Sequence, residues 1–130
     1  MSAIPQNIIL HLRYRLWIAE MNADINVLRI LEDCLKEFKD RKDLELNIIV
    51  DNLYGLFLSL RKEIDELRNE MHILKMKLAT YLREGQPATY KTYIADRHIA
   101  IKKHYSVFKK MFARAKFDFK DFEEKYMQLV

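Results

Sequence analysis

The stretch "LFLSLRKEIDELRNEMHILKMKLATYL", residues 56–82, sets leucines and other apolar residues at regular intervals with charges beside them. Starting from Leu46, the positions Val50, Leu53, Phe57, Leu60, Ile64, Leu67, Met71, Leu74, Leu78 and Tyr81 alternate in steps of four and three. An apolar residue every 3.5 positions on average forms one seam along a helix, and five heptads of it pass without interruption. The fold therefore turns on what covers this seam.

Working outward, the breaks are few. "REGQPAT", residues 83–89, holds Gly85, which suits a left-handed helix C-terminus, and Pro87, which disfavours helical geometry in the residue before it. "KDRKDLE", residues 39–45, offers Asp43 as an N-cap with Glu45 in the first turn. Three helical segments follow, at about 6–41, 44–84 and 88–129. The third repeats the rhythm through Ile94, His98, Ile101, Tyr105, Phe108, Phe112, Ala115, Phe119, Phe122, Tyr126 and Leu129. The first keeps it at Leu10, Tyr14, Trp17, Met21, Leu28, Leu31, Leu35 and Phe38, but Asp24 falls on the seam. Asn22, Asp24 and Asn26 offer a possible break there, which leaves one helix or two.

Composition agrees. Half of the 130 residues are apolar and 32% are charged, while Gly and Pro occur twice each, too few for the turns of a sheet protein. The single cysteine, Cys34, cannot close an internal disulfide, and its place among Leu31, Leu35 and Phe38 predicts an inert thiol. No apolar run is long enough to span a bilayer and "MSAIPQNIIL" lacks the pattern of a secretory leader, so the expectation is a soluble, cytoplasmic protein with no membrane partner. The predicted fold is all-α: an elongated antiparallel bundle with coiled-coil-like seams, of three long helices, or four if the first breaks near 22–26.

A hairpin folded about Gln86 sets seam against seam, with Leu74 beside His98, Met71 beside Ile101, Leu67 beside Tyr105, Ile64 beside Phe108, Leu60 beside Phe112 and Phe57 beside the small Ala115. In arrangement alone this is similar to the three-helix rods of spectrin-type repeats. A second copy competes for the same seam. Ile64, Leu67, Met71 and Leu74 suit a parallel dimer, in which Glu63 and Glu70 would face Arg68 and Lys75 of the other chain. These charges read equally well as a solvated face.

Residues 89–117 carry Lys91, Arg97, Lys102, Lys103, Lys109, Lys110, Arg114 and Lys116 against one acid, Asp96. Lys102, Lys109 and Lys116 recur every seventh residue, and the hairpin register suggests that they run beside Arg61, Arg68 and Lys75. Two such rows repel unless something lies over them. The first helix is one candidate, through Asp24, Glu32, Asp33 and Glu37; a nucleic-acid backbone, held by Lys102, Lys103, Lys109, Lys110, Arg114 and Lys116, is another, and an acidic protein a third. Tyr90 and Tyr93 beside the turn either stack on unpaired bases or close the end of the bundle.

Sites for chemistry are sparse. His11, His72, His98 and His104 include no pair four apart, and no Glu precedes a His by three, so neither a metal nor a cofactor is expected; His98 on its seam reads as a core histidine. Glycine-rich phosphate loops, zinc-type cysteine pairs and nucleophile elbows are absent from the sequence. "RHIAIKKH", residues 97–104, resembles the signature of the HEPN ribonucleases, all-α domains with an Arg, a polar residue and, after a short gap, a His. The resemblance covers eight residues. It implies that Arg97 stabilises phosphate charge and His104 transfers a proton during RNA cleavage; the alternative is that both pair with acids or water on a helix flank. The leading expectation is a noncatalytic assembly protein, a homodimer or a binder of a protein partner. Nonspecific nucleic-acid binding stands second and the ribonuclease third.

Overall fold

The computed structural model describes residues 6–39, 42–85 and 88–128, without the side chains of residues 82, 88 and 89. Three helices run Gln6–Lys36 (α1), Leu44–Glu84 (α2) and Ala88–Tyr126 (α3). The punctuation acts as its chemistry dictates. Asp43 caps α2 by accepting a hydrogen bond from the Leu46 amide at 3.2 Å, and Gly85 ends it at φ 62°, its amide donating to the Tyr81 carbonyl at 3.0 Å. Pro87 and Leu129 lie outside the described residues.

α1 stops five residues short of the expected boundary. The amides of Glu37, Phe38 and Lys39 reach back three residues, to the carbonyls of Cys34, Leu35 and Lys36, which tightens the last turn and ends the helix. This turn also delivers Phe38 edge-on to Phe122, with ring centroids 5.1 Å apart. α1 is one helix rather than two. Asn22 accepts a hydrogen bond from Arg68 at 2.8 Å and Asp24 faces Lys116 and Lys109, so neither side chain turns back to cap a break. The fold is a three-helix bundle.

α2 runs antiparallel to both neighbours. Arg61 meets Glu32 and Arg68 meets Asn22 on the α1 side. Glu63 meets His104, Lys77 meets Tyr93 and Tyr81 stacks on Tyr90 on the α3 side, the last two pairs within two residues of the expected register. α1 and α3 run parallel and farther apart, and large rings bridge them: Tyr14 and Trp17 against His98, Trp17 against Tyr105, Phe38 against Phe122.

Every α2 seam residue from Leu46 to Leu78 is buried, with Tyr81 packed at the margin. So is the α3 seam from Ile94 to Phe122 except the half-buried His98. α1 contributes a wider stripe, in which Ile18, Ile25 and Glu32 join Tyr14, Met21, Leu28 and Leu35, because it packs between two helices. Gly55 lies on the outer face of α2, where an added Cβ would meet nothing within 4 Å. Gly55→Ala should therefore raise the unfolding free energy by about 0.5–1 kcal/mol, through the lost backbone freedom of the unfolded chain. A thermal melt at fixed concentration checks it, and an unchanged or lower midpoint refutes it.

Candidate functional site

The four seam residues expected to meet a second copy are enclosed by α1 and α3 of the same chain. Ile64, Leu67 and Met71 are 0% exposed and Leu74 is 2% exposed. Three of the four flanking charges are engaged within the chain as well: Glu63 and Glu70 bracket His104, and Arg68 donates to Asn22 and to Asp65, while Lys75 is half-buried. A parallel pairing of two α2 helices would have to displace α1 and α3, so this seam is an intramolecular one.

The basic rows are separated rather than adjacent. In an antiparallel pair, like edges face each other, and the edge of α2 that meets α3 is the one carrying Glu63 and Glu70. Arg61 and Arg68 flank α1 on one side, and Lys109 and Lys116 flank it on the other. α1 thus lies between the rows with its acids turned to them. Arg61 donates to Glu32 at 3.1 Å, and Glu32 is the one charged residue buried among those described. Burial raises the Asp24 pKa above the usual carboxylate value and Glu20 adds to the rise, while Lys116 and Lys109 oppose it. Asp33 instead pairs with Lys36 on its own helix. Lys102, Lys103 and Lys110 are exposed on α3, and Arg114 is held at 3.2 Å by Asp118.

Arg97 and His104 share one edge of α3, seven residues and so about 10 Å apart. Arg97 is exposed beside Tyr93 and Glu70. His104 Nε2 donates to Glu63 at 2.5 Å, and Nδ1 lies 3.6 Å from Glu70. Burial pulls the His104 pKa down, but the hydrogen bond and charge of Glu63 together with Glu70 outweigh it, and the net shift is upward. The donor atoms of Glu63, Glu66 and His104 lie within 4.8 Å of one another. A search for Glu-x-x-His spacing misses this set because its members come from two helices. The tyrosines close the hairpin end. Tyr90 stacks on Tyr81 and donates to the Lys77 carbonyl, and the Tyr93 hydroxyl accepts from Lys77.

His98 is half-buried on the α3 seam, with Nδ1 2.7 Å from the Tyr14 hydroxyl. Burial, then Lys102 and Arg13, hold its pKa below the ordinary imidazole value of 6.5. His98 and His104 therefore bend stability in opposite directions. Between the lowered His98 value and 6.5 the unfolded chain binds more protons there, so stability rises with pH; between 6.5 and the raised His104 value the folded chain binds more, so stability falls. Chemical denaturation across pH should show a maximum near 6.5 from this pair. His98→Asn should flatten the acid limb and His104→Asn the alkaline limb; limbs that both variants leave unchanged would refute the assignment.

A feature that heptad reading passed over lies on the outside of α1. Ile8, Leu12, Leu16, Ala19, Ala23, Val27 and Ile30 are all exposed, Leu16 to 59% and Ile30 to 62%. Their spacing of 4, 4, 3, 4, 4, 3 averages close to 3.6, so the stripe stays on one face over about 33 Å, diametrically opposite the core stripe. Polar residues, among them Arg13, Arg15, Glu20 and Arg29, fill the two flanks between the stripes. α1 is also electrically balanced: Arg13, Arg15, Arg29 and Lys36 are matched by Glu20, Asp24, Glu32 and Asp33.

The chain is thus an all-α three-helix bundle, and among its described residues no helix is long and apolar enough to cross a membrane. Comparisons of the chain with protein-family models, with curated proteins and with solved structures return no match.

Proposed function

We propose that this protein is a noncatalytic assembly element that self-associates through the outer face of α1, two copies pairing antiparallel about Ala19. The exposed apolar stripe carries this reading. A helix apolar on two opposite faces is stable in water when both are covered, and the bundle covers one.

Three properties favour a second copy as the cover. The stripe is self-complementary when reversed about Ala19: Ile8 comes opposite Ile30, and Leu12 and Leu16 come within one residue of Val27 and the small Ala23. A face about 33 Å long and one helix wide makes a small interface, in the size class of weak association and consistent with a micromolar dimer. The balanced charge of α1 lets two copies approach without the repulsion that the basic α3 would bring.

Sedimentation equilibrium over about 1–200 µM protein tests it, with a dimer expected in the upper part of that range. Ala19→Cys in a Cys34→Ser background tests the orientation. Facing helices 8–10 Å apart bring the two Cα atoms within disulfide reach, so oxidation should yield a covalent dimer. A monomer throughout the range refutes the reading.

A further inference from the structure

Where α1 begins and α2 ends, a cavity of about 350 Å³ opens between α1 and α3. The wide α1–α3 gap explains its position. Tyr14, Trp17 and Tyr105 plug the middle of the gap and Phe38 and Phe122 its far end, but the first turns of α1 bring no ring to it, with Gln6, Asn7, Ile9 and Leu10 lining the space among the described residues, and α3 answers with Ala95. The size falls at the lower end of small-molecule sites.

The lining is one-sided in charge. Arg13 enters from α1 and Lys91 from α3, while Ile9, Leu10, Ile94 and Tyr81 make an apolar wall. No Asp or Glu is among the described residues that line it. His98 forms part of the wall, and its tautomer follows from its partner. The Tyr14 hydroxyl is fully buried with burial holding it protonated, so it must donate to an acceptor, and His98 Nδ1 at 2.7 Å is the acceptor it has. The neutral imidazole then carries its proton on Nε2. The lining therefore combines two cations and a neutral imidazole with an apolar wall.

We propose that this cavity binds a small organic carboxylate, its apolar chain along Ile9, Ile94 and Ala95 and its carboxylate between Arg13, Lys91 and the His98 Nε2–H. An apolar body is required because an inorganic anion would leave the wall wet, and an anionic head because both charged residues among the described lining are cations. The site lies on the α1–α3 flank, apart from the outer stripe of α1, so it does not depend on self-association.

Trp17, the single tryptophan, is a built-in reporter, stacked on His98 with ring centroids 6.3 Å apart and planes 15° apart. The full chain is titrated with octanoate, octanamide and inorganic phosphate at about 50 mM salt, low enough to limit screening. Trp17 fluorescence and the backbone amide spectrum are followed together. Octanoate should give a saturable change centred on Ile9, Ile94, Ala95 and His98, octanamide should bind at least about tenfold more weakly, and phosphate should give no saturable change. Arg13→Gln and Lys91→Gln, both at exposed positions, should each weaken octanoate about tenfold while the melting curve stays in place. Ala95→Phe, which sets a ring into the cavity, should abolish the response. Equal binding of octanamide, an absent octanoate response, or a response that survives Ala95→Phe would each overturn the proposal.

Discussion

Leu16→Glu should convert the protein from a dimer to a monomer throughout the micromolar range while leaving its helicity and its thermal midpoint at high dilution in place. Leu16 is 59% exposed in the single chain, and Glu is as good a helix former as Leu, so the monomer changes by no more than about 0.5 kcal/mol. In the proposed pair, each copy loses a buried leucine contact worth about 1.5–3 kcal/mol and gains a carboxylate that must shed water near Ala23. Because the interface is two-fold, every loss occurs twice, and association should weaken by at least about a hundredfold. Sedimentation equilibrium reads this directly. A second reading comes from melts at several concentrations, since the midpoint of a dimer rises with concentration and that of the variant should not. A variant that still sediments as a dimer would place the interface elsewhere.

The seams of α2 and α3 were legible because a 3.5-residue repeat needs only local spacing, and Asp43 and Gly85 were legible because caps follow from single-residue chemistry. What covers the α2 seam was not legible. Ile64, Leu67 and Met71 look the same whether the covering helix belongs to the same chain or to another, and the choice rests on how α1 packs between its neighbours. The outer stripe of α1 was hidden for a related reason. Its 3.67-residue period runs through the same helix as the core period, so Ile8, Leu12 and Leu16 look like noise until the core face is fixed. The sides of the basic rows depend on which edges face one another, and a one-dimensional register does not say; hence Lys109 and Lys116 lie across α1 from Arg61 and Arg68 rather than beside them. The bracket of Glu63 and Glu70 on His104, and the cavity of Arg13, Lys91 and His98, each draw on two helices far apart in sequence, where no spacing rule applies.

Phe57→Ala should cost about 3–5 kcal/mol of unfolding free energy, the largest loss expected from one core truncation here. Phe57 is fully buried about a third of the way along α2, with its ring 6.2 Å from that of Phe119, and the hairpin register sets it opposite Ala115, which is fully buried too. The pairing of a large with a small residue leaves no slack, since neither helix can close onto an empty site without pulling Leu60 and Phe112 out of register. The same register makes a stricter prediction. Ala115→Leu alone should destabilise by about 1–3 kcal/mol through overpacking, whereas combined with Phe57→Ala it should restore part of the loss by refilling the vacated volume. Chemical denaturation of the four proteins at one fixed concentration, below the dimer range, gives the coupling between the two sites. A stabilising coupling of about 1 kcal/mol or more would confirm that α2 and α3 meet in this register; strict additivity would mean that the two side chains do not share a site.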